Sequence, residues 1–413
     1  MLTIDPQQLR DDIATLAQFV EPQTPGTTRR AFTDSYRAGR VWLCERMRDA
    51  GLTVAGDAGG NLIGRRDGST PASPLLIGSH TDTVMGGGRF DGAIGVLGAL
   101  AVARALRDAG IVLRHPLEVI DFLAEESTPL GSLFGSTAMA QGFTPAFLAR
   151  DVSGWGVVAD AIANMGGEPA KLLQPLRRSG DITAYLELHI EQGPVLEAAD
   201  VPIGAVSGIV GIRRADFVCT GRPDHAGTAS MAVRHDALAT VAEIIQATEQ
   251  AALSRPGTVA TVGSLHVAPN QTNVVPGQVR FSVEMRSLDW SEVLAMWDEI
   301  VAAINLAGAK RGVTVQIGAC EDSAPVQFPT WIRQIITQAC GQFTDHVLEL
   351  PSGAGHDGSM IGLIAPAGMI FVRTKDGRSH CPEEYAGNDD IVAGVNALLQ
   401  AVLAIDTMSD MST

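Results

Sequence analysis

Apolar and polar positions along the first half of the chain alternate between a helical and an extended spacing. Asp34 to Ala50 has the spacing of an amphipathic helix, and Gly92 to Ala109 is rich in alanine and leucine, which favour helices. Leu75 to Ser79 and Leu117 to Ala124 are short apolar runs of the kind that form buried strands. We therefore predict an α/β fold over residues 1–210, with a mixed sheet flanked by helices.

A different order of patterns occupies residues 211–322. Six segments follow one another as β-α-β-β-α-β: Arg214 to Gly221, Met231 to Leu253, Val259 to Val267, Val279 to Ser287, Trp290 to Ala309 and Gly312 to Ile317. This order predicts a small ferredoxin-like α+β domain. The α/β alternation then resumes, with a helix at Thr330 to Gly341, a strand at Gly368 to Arg373 and a helix at Asp390 to Asp406. We predict a catalytic domain made of residues 1–210 and 323–413, interrupted by the small domain at 211–322.

Composition and charge narrow the class of protein. Hydrophobic residues make up 46% and charged residues 18% of the 413 residues, which is typical of a folded globular chain. The formal net charge of −16 disfavours nucleic acid and acidic membranes as partners. We find neither an apolar run of roughly 18 to 20 residues, as a membrane span needs, nor a secretion signal. Five scattered cysteines indicate reduced thiols, so we expect a cytoplasmic protein with no nucleic-acid or membrane partner.

Candidate metal ligands stand near the ends of four apolar runs. His80 follows the first run, Glu125 and Glu126 follow the second, His189 follows a third, and His380 comes shortly after a fourth. Sites in open α/β sheets gather at the carboxyl ends of strands, and imidazole and carboxylate bind zinc and similar ions. A lone histidine is more often structural, and a Glu-Glu pair is more often a solvated surface. Their joint occurrence behind strands nevertheless predicts a metal centre.

Two aspartates near His80 extend this centre. Asp91 lies in a glycine-rich loop, and each of its carboxylate oxygens could bind one ion, so it is the natural bridge. Asp82 could orient the ring of His80, because a ligating histidine usually donates its other N–H to a neighbouring group. The adjacent Glu125 and Glu126 allow one carboxylate to bind metal while the other transfers protons. An Asp-Gly pair taken alone is also a common turn.

Five segments together resemble the amidase, hydantoinase and carbamoylase family. They occur in order over nearly the whole chain: Gly78 to Gly92, Ala124 to Glu126, His189 to Pro194, Ser352 to Asp357 and Ser379 to Glu383. That family includes N-carbamoyl-L-amino-acid hydrolases, β-ureidopropionases and allantoate amidohydrolases, within the dinuclear-zinc superfamily of aminoacylases and carboxypeptidase-G-type enzymes. The peptidase branch has an acidic ligand where His189 stands, so the resemblance favours the ureido branch.

The resemblance implies two divalent metal ions per subunit, either zinc or manganese, cobalt or nickel. The implied ligands form two overlapping sets: His80, Asp91 and His189 for one ion, and Asp91, Glu126 and His380 for the other. Glu125 would be the general base. Two such ions about 3.5 Å apart polarise a carbonyl and lower the pKa of a bridging water toward ~7. The resemblance further implies a cis peptide bond at Asp91–Gly92.

Substrate contacts are also implied by the resemblance. His225 would stabilise the developing oxyanion in the active site of a partner subunit, which implies a homodimer through the small domain. Arg286 and Asn273 would hold the carboxylate of a small substrate, and Gln192 and His356 would line the site. From the residues alone, His225 could equally be a surface-loop histidine, and Arg286 could be a surface residue paired with an acid such as Glu284.

These assignments imply that the small domain is a lid. We expect it to close over the metals through hinges near Gly208 to Gly211 and Asp322 to Pro325. The leading hypothesis is hydrolysis of the ureido C–N bond of an N-carbamoyl amino acid or related ureido acid, with allantoate as an alternative substrate. A second hypothesis is an N-acyl amino acid or dipeptide hydrolase, and a third is an inactive homologue that acts as a binding protein. Ser127 to Phe134 departs from the family pattern directly after the Glu-Glu pair and bears on the choice of substrate.

Overall fold

The computed structural model describes residues 1–408 and divides the chain into two units. Unit 1 comprises Met1–Gly208 and Phe328–Thr413, and unit 2 comprises Ile209–Gln327. Unit 1 is therefore assembled from two separate stretches of sequence, and unit 2 from one continuous stretch.

Helices and strands alternate through the first stretch of unit 1. Its helices are α1 (Pro6–Leu16), α2 (Asp34–Asp49), α3 (Ala93–Asp108), α4 (Phe134–Ala140), α5 (Pro145–Leu148), α6 (Val158–Asn164) and α7 (Val195–Ala198). Its strands are β1 (Thr53–Gly56), β2 (Leu62–Arg66), β3 (Leu75–His80), β4 (Leu117–Phe122), β5 (Asp151–Val152), β6 (Gly156–Val157), β7 (Ala184–Ile190) and β8 (Ile203–Ile209). The predicted helices at 34–50 and 92–109 and the predicted strands at 75–79 and 117–124 are confirmed, with ends shifted by one or two residues.

Unit 2 contains one antiparallel sheet and two long helices. Its elements are β9 (Gly211–Thr220), α8 (Ala237–Leu253), β10 (Thr258–Ala268), β11 (Gln278–Ser287), α9 (Trp290–Arg311), β12 (Thr314–Ser323) and β13 (Val326–Gln327). The four long strands lie in the order β10-β11-β9-β12. Alternate residues of β9 and β11, including Phe217 and Phe281, are buried against α8 and α9. The β-α-β-β-α-β order predicted for this region is present.

The predicted start of the first helix of unit 2 is wrong by six residues. Met231–Val233 forms a single 3₁₀ turn, and α8 begins only at Ala237. The side chain of Asp236 accepts the backbone N–H of Ala239 at 2.9 Å, which makes Asp236 the N-cap. The extended Arg234 before the cap separates the short turn from the helix.

The second stretch of unit 1 completes a mixed sheet. It contributes α10 (Thr330–Cys340), β14 (Leu348–Ser352), α11 (Asp357–Ile361), β15 (Ala367–Val372) and α12 (Asn388–Asp406). Strands of unit 1 lie in the order β1-β2-β4-β3-β7-β15-β8, and β14 pairs with β8. β3, β4, β7 and β15 run parallel to one another, whereas β1, β2 and β8 pair antiparallel. The predicted mixed sheet flanked by helices is confirmed.

This topology sets the place of the site. β3, β4, β7 and β15 are parallel and adjacent, so their carboxyl ends meet at one edge of the sheet. All residues of these four strands are buried. They are covered by α3, whose residues from Ala93 to Leu106 are buried, and by α10 and α12. The end of the sheet that carries the candidate ligands is thus supported by the main core.

α12 is the one helix in residues 1–408 that is long and apolar enough to cross a membrane, by length and composition alone. It has 19 residues, and 56% of its most apolar 18-residue stretch is buried inside the protein. Val395, Leu398, Leu399 and Val402 belong to the main hydrophobic core. Burial of this kind is what the core helix of a folded protein shows.

Candidate metal centre

His80, Asp91 and His189 form the first half of the candidate centre. His80 is the last residue of β3 and His189 is the penultimate residue of β7, and both side chains are buried. Nε2 of His189 lies 3.1 Å from Oδ1 of Asp91, and Nε2 of His80 lies 3.7 Å from the same oxygen. These three residues place their ligand atoms within 4.8 Å of one another. We call this set of residues half-site A.

Asp91, Glu126 and His380 form the second half, which we call half-site B. Nε2 of His380 lies 3.3 Å from Oδ2 of Asp91 and 3.4 Å from Oε1 of Glu126. The two histidines of half-site A therefore face one oxygen of Asp91, and His380 faces the other. Asp91 thus stands between the other residues of the two half-sites.

The donor atoms of both halves fit divalent ions. Nδ1 of His80 is 3.1 Å from the main-chain oxygen of Asp82, and Nδ1 of His189 is 2.9 Å from that of Ile190. These contacts fix each ring so that Nε2 is directed at Asp91. Oε1 of Glu126 is buried and, apart from its contact with His380 at 3.4 Å, lacks a hydrogen-bond partner within residues 1–408. A cation between Asp91, Glu126 and His380 would supply one.

Asp82 contacts both the His80 ring and the backbone of the Glu-Glu pair. Its carboxylate lies 3.6 Å from Nδ1 of His80, whereas its main-chain oxygen makes the closer contact at 3.1 Å. The carboxylate instead accepts the backbone N–H of Glu125 at 3.3 Å and that of Glu126 at 3.1 Å. The Asp82 carboxylate thus lies beside the His80 ring and also binds the backbone of the Glu-Glu pair, and its role in orienting His80 stays a prediction.

The expected cis peptide at Asp91–Gly92 is not found. The cis bond in residues 1–408 is Ala268–Pro269. Gly92 has φ 60° and ψ −43°, and the Ala93 nitrogen lies 2.5 Å from the Asp91 carbonyl oxygen, so the chain reverses in a γ-turn. The positive φ favours glycine at this position, and a Cβ at Gly92 would in addition overlap the ring of His80. The turn achieves the change of direction with a trans bond.

Glu125 is a buried carboxyl group beside half-site A. Its Oε2 lies 3.6 Å from Nε2 of His80. Burial raises the pKa of Glu125 well above its usual range, the charge of His80 opposes this, and the neighbouring Glu126 adds to it. Burial likewise raises the pKa of Glu126 to about 7, with Asp91 adding to the shift. Burial thus favours the protonated form of both carboxyl groups in the metal-free site.

The histidines show that the site is built around negative charge. A hydrogen bond to Asp91 raises the pKa of His380 to about 9. Burial lowers the pKa of His80, but Glu125, Asp82 and Asp91 outweigh burial and hold it well above its usual range. Burial raises the pKa of Asp91, but the imidazoles of His189, His380 and His80 hold it well below its usual range. Acidic groups of this density favour a cation at their centre.

Gln192 and His356 lie against the candidate ligands. The Gln192 side-chain amide donates to Oδ2 of Asp91 at 2.7 Å and to Oγ of Ser379 at 3.2 Å. Its Oε1 is buried and makes no hydrogen bond within residues 1–408. The ring of His356 packs edge-on against that of His189, 4.4 Å between centroids. Burial and the neighbouring His189 hold the pKa of His356 well below its usual range, so this ring is a neutral group.

The remaining predicted residues belong to unit 2. His225 and Asn273 lie on adjoining loops, because the Ala226 N–H donates to the Asn273 carbonyl at 2.9 Å. His225 is exposed, and its Nδ1 accepts the Gly227 N–H at 3.0 Å. Arg286 lies on β11, and both Nε and Nη2 donate to Oε1 of Glu284, at 2.8 and 2.6 Å. The ion pair with Glu284 that the sequence left open is present.

Sequence reasoning missed four residues that surround the centre. Ser379 donates to Oδ2 of Asp91 at 2.7 Å, and Glu384 accepts the Asp91 N–H at 3.2 Å. Glu187 accepts from Ser79 at 2.7 Å behind half-site A, and burial together with Glu187 raises the pKa of the adjacent Asp357 well above its usual range. Each lies within or next to one of the family motifs. That closeness is the one signal that could have pointed to them.

Comparison with known proteins agrees with this geometry. Residues 76–404 match the family described as peptidase family M20/M25/M40. The chain is 38% identical over 402 residues to an N-carbamoyl-L-amino acid amidohydrolase of Geobacillus stearothermophilus, covering 97% of this chain and 98% of that protein. It is 32% identical to an allantoate amidohydrolase of Bacillus subtilis, covering 94% and 95% of the two chains. A crystal structure of an amidase of the hydantoinase/carbamoylase family from Burkholderia multivorans superposes with a TM-score of 0.91 at 33% identity, covering 98% and 99%.

The fold, the ligand atoms of half-sites A and B and the similar proteins agree. Together they define a metal-dependent hydrolase that acts on C–N bonds. The chain belongs to peptidase family M20/M25/M40. It is similar to N-carbamoyl-L-amino acid amidohydrolases at 38% identity and to a solved amidase of the hydantoinase/carbamoylase family at 33% identity.

Proposed function

We propose that the chain hydrolyses the ureido C–N bond of an N-carbamoyl-L-amino acid, giving the free amino acid, carbon dioxide and ammonia. The observation that carries the proposal is the position of Asp91 between two histidine-containing half-sites, with Glu125 beside them. Half-sites A and B would each hold one divalent ion, zinc or one of manganese, cobalt and nickel. Such ions polarise a carbonyl and acidify water.

Glu125 would act as the proton carrier of the reaction. It would take the proton of the attacking water and deliver it to the leaving nitrogen, a role that contributes roughly 10²- to 10⁴-fold in rate. Its backbone is held by Asp82 at 3.3 Å, and its side chain is buried beside His80. A fixed, buried carboxyl group with a raised pKa can accept and release a proton within one turnover.

Gln192 supports a carbamoyl rather than an acyl substrate. Its amide nitrogen is committed to Asp91 and Ser379, so its oxygen must face away from them, and that oxygen is buried without a hydrogen-bond partner within residues 1–408. A buried acceptor of this kind needs a donor. The terminal NH₂ of a carbamoyl group supplies two N–H groups that an acetyl or formyl group lacks. The name of the relative from Geobacillus stearothermophilus points to the same substrate class.

Arg286 and Asn273 would bind the substrate carboxylate, because a guanidinium can hold a carboxylate through two parallel hydrogen bonds. His225 would donate to the oxyanion, and one such donor contributes roughly 3 kcal/mol. We further propose that unit 2 acts as lid and dimerisation domain, so that His225 serves the site of a partner subunit. β10 and β12 are the outer strands of the unit 2 sheet, and Val259 and Ile317 on them are exposed. The free thiols of all five cysteines support a cytoplasmic location.

A substrate panel tests this function. Metal-loaded protein is incubated with N-carbamoyl, N-formyl and N-acetyl derivatives of one L-amino acid, with the D-carbamoyl compound, and with allantoate. Ammonia release is compared with carboxylate release and with free amino acid. We expect the highest kcat/KM for the L-carbamoyl compound. A higher value for the N-acetyl compound would replace the proposal with an aminoacylase function. Bound metal without turnover of any compound would support the inactive binding protein.

The same panel applied to Gln192→Ala tests the role of the amide oxygen. We expect the preference for carbamoyl over formyl substrate to fall by about tenfold or more, since one buried hydrogen bond to a neutral group is worth about 0.5–1.5 kcal/mol and an unpaired group costs more. An unchanged preference would remove Gln192 from the substrate contacts.

A further inference from the structure

Glu384 is a buried carboxyl group that joins two distant segments of the candidate centre. It lies in the loop after His380 and is 5% exposed. Its Oε1 accepts the backbone N–H of Phe90 at 2.9 Å and that of Asp91 at 3.2 Å. Its Oε2 lies 3.1 Å from Oγ of Ser379. One carboxyl group thus connects the loop that carries the bridging aspartate to the loop that carries His380.

Ser379 continues this connection to the metal-facing side of Asp91. Its hydroxyl donates to Oδ2 of Asp91 at 2.7 Å. Glu384 is therefore linked to Asp91 in two ways. It contacts the Asp91 backbone directly, and it is connected to the Asp91 side chain through Ser379. The oxygen of Asp91 that is held in this way is the one that faces His380.

The glycine-rich loop makes room for Glu384. A Cβ at Gly88 would overlap the Glu384 carboxyl group and its side-chain carbons. The segment Gly86-Gly87-Gly88 might suggest a phosphate-binding loop, but its third glycine is explained by close packing against a carboxyl group.

The two half-sites differ in how firmly the protein holds their ligands. His80 and His189 are 1% exposed and extend from strands β3 and β7 in the core of the sheet. His380 lies in a loop with a left-handed backbone, φ 57°, and its side chain is 49% exposed. The sheet therefore fixes the two histidines of half-site A, whereas half-site B depends on what fixes the loop of residues 379–384.

We propose that Glu384 is a positioning residue that holds half-site B together. It fixes the bridging Asp91 and the His380 loop relative to each other, so that the second metal ion binds as tightly as the first. This inference rests on the proposed binding of two ions. Glu384 itself touches neither ion nor substrate in this assignment, and its effect passes through Ser379 and the backbone of residues 90 and 91.

Metal binding to three variants tests the proposal. Metal-free protein is titrated with Co²⁺ by calorimetry, and the visible absorption of Co²⁺ reports its coordination. Glu384→Ala removes both links, Glu384→Gln keeps an oxygen for the two N–H groups and a donor for Ser379, and Glu383→Ala is the control. Glu383 is the exposed neighbour, with a side chain 60% exposed and paired with Arg378. We expect Glu384→Ala to retain one tight ion and to bind the second 10- to 100-fold more weakly, as is typical when a group supporting a ligand is removed. We expect Glu384→Gln and Glu383→Ala to bind two ions like the wild type.

Two results would overturn the proposal: wild-type affinity for both ions in Glu384→Ala, or equal weakening of both. Binding of fewer than two ions by the wild-type protein would instead contradict the proposed function. Should Glu384→Ala fail to fold, Gly88→Ala displaces the same carboxyl group without removing it. We expect the same selective loss of the second ion there, and two tight ions in Gly88→Ala would contradict the role of Glu384.

Discussion

The Asp82 carboxylate accepts the backbone N–H of Glu125 at 3.3 Å, and in this way the loop after β3 fixes the residue that would carry the proton. The second oxygen of the same carboxylate holds the next residue, Glu126, at 3.1 Å. A single buried aspartate therefore holds the backbone of two neighbouring glutamates that have different proposed tasks.

Glu125→Gln and Glu126→Gln should separate proton transfer from metal binding. We expect Glu125→Gln to bind both ions and to lose kcat by roughly 10²- to 10⁴-fold, because the amide cannot accept the proton of water. Glu126→Gln should bind the ion of half-site B more weakly, because it loses a charged ligand. Metal content by mass spectrometry and turnover of the carbamoyl substrate distinguish the two. Equal metal loss in both variants would contradict the assignment.

Arg286→Ala should raise KM for carboxylate-bearing substrates. Loss of a charge-assisted hydrogen bond costs about 1.5–3 kcal/mol, which corresponds to a rise of roughly 10- to 150-fold. Arg214→Ala is the matched control, since Arg214 also pairs with Glu284 but its side chain is 53% exposed. We expect steady-state kinetics of Arg214→Ala to resemble the wild type. A small effect of Arg286→Ala, equal to that of Arg214→Ala, would reduce Arg286 to a surface ion pair.

Mixed dimers should regain activity if His225 serves the partner's site. Neither His225→Ala nor Glu125→Gln is expected to be active alone. After subunit exchange of equal amounts, about half of the molecules are heterodimers, and each has one site with both residues intact, so about a quarter of wild-type activity should return. No recovery in a mixture that native mass spectrometry shows to contain heterodimers would contradict this role of His225.

Metal affinity should rise with pH between about 6 and 9. In the metal-free site a hydrogen bond to Asp91 raises the pKa of His380 to about 9, and burial raises that of Glu126 to about 7. Metal ions bind the deprotonated groups, so each displaced proton changes the affinity by at most about tenfold per pH unit. Calorimetry in buffers of different ionisation enthalpy should detect proton release. A flat pH profile would argue against His380 as a ligand.

The raised pKa of His380 also affects the stability of the metal-free protein, which should fall as the pH rises, whereas metal affinity rises. The folded-state pKa of His380 lies above the ordinary value of 6.5. Its contribution to stability is therefore complete below pH 6.5 and is lost as the pH rises through about 9. Denaturation of metal-free protein at about pH 6 and about pH 9.5, compared with His380→Gln, measures this contribution.

Gly92→Ala should disrupt half-site A, whereas Gly110→Ala should not. Both glycines have positive φ, 60° and 66°, but a Cβ at Gly92 meets the His80 ring and a Cβ at Gly110 has open space around it. An alanine with positive φ costs about 1–2 kcal/mol by itself. We expect this cost alone for Gly110→Ala, and for Gly92→Ala an additional loss of metal binding. Thermal unfolding and metal titration of both variants provide the comparison.

Sequence patterns were sufficient to predict the strands whose own residues are mostly apolar. The runs that end at His80 and near Glu125 are typical of buried strands, and β3 and β4 are buried throughout. β8 and β14 were not predicted, since β8 contains Gly204 and Gly208 and β14 contains Pro351, residues that usually interrupt strands. Both are strands because they pair at the edge of an existing sheet, which a local pattern does not record.

The candidate ligands could be predicted because each follows a strand or lies in a family motif. The backbone contacts of Asp82 and Glu384 could not, since the partners of Asp82 lie 43 and 44 residues away and those of Glu384 lie 293 and 294 residues away. Likewise, no residue pattern distinguishes a γ-turn from a cis peptide at Gly92. In each case the deciding contact joins segments that only the folded chain brings together.

The central place of β15 has a consequence for protein synthesis. β15 lies between β7 and β8, yet it is translated after the whole of unit 2. While the ribosome adds residues 209–366, the two strands that will flank β15 have unpaired edges, and such edges readily capture other chains. The nascent polypeptide can complete the sheet of unit 1 only near the end of translation. Premature termination anywhere before residue 367 therefore leaves an aggregation-prone fragment rather than a smaller enzyme.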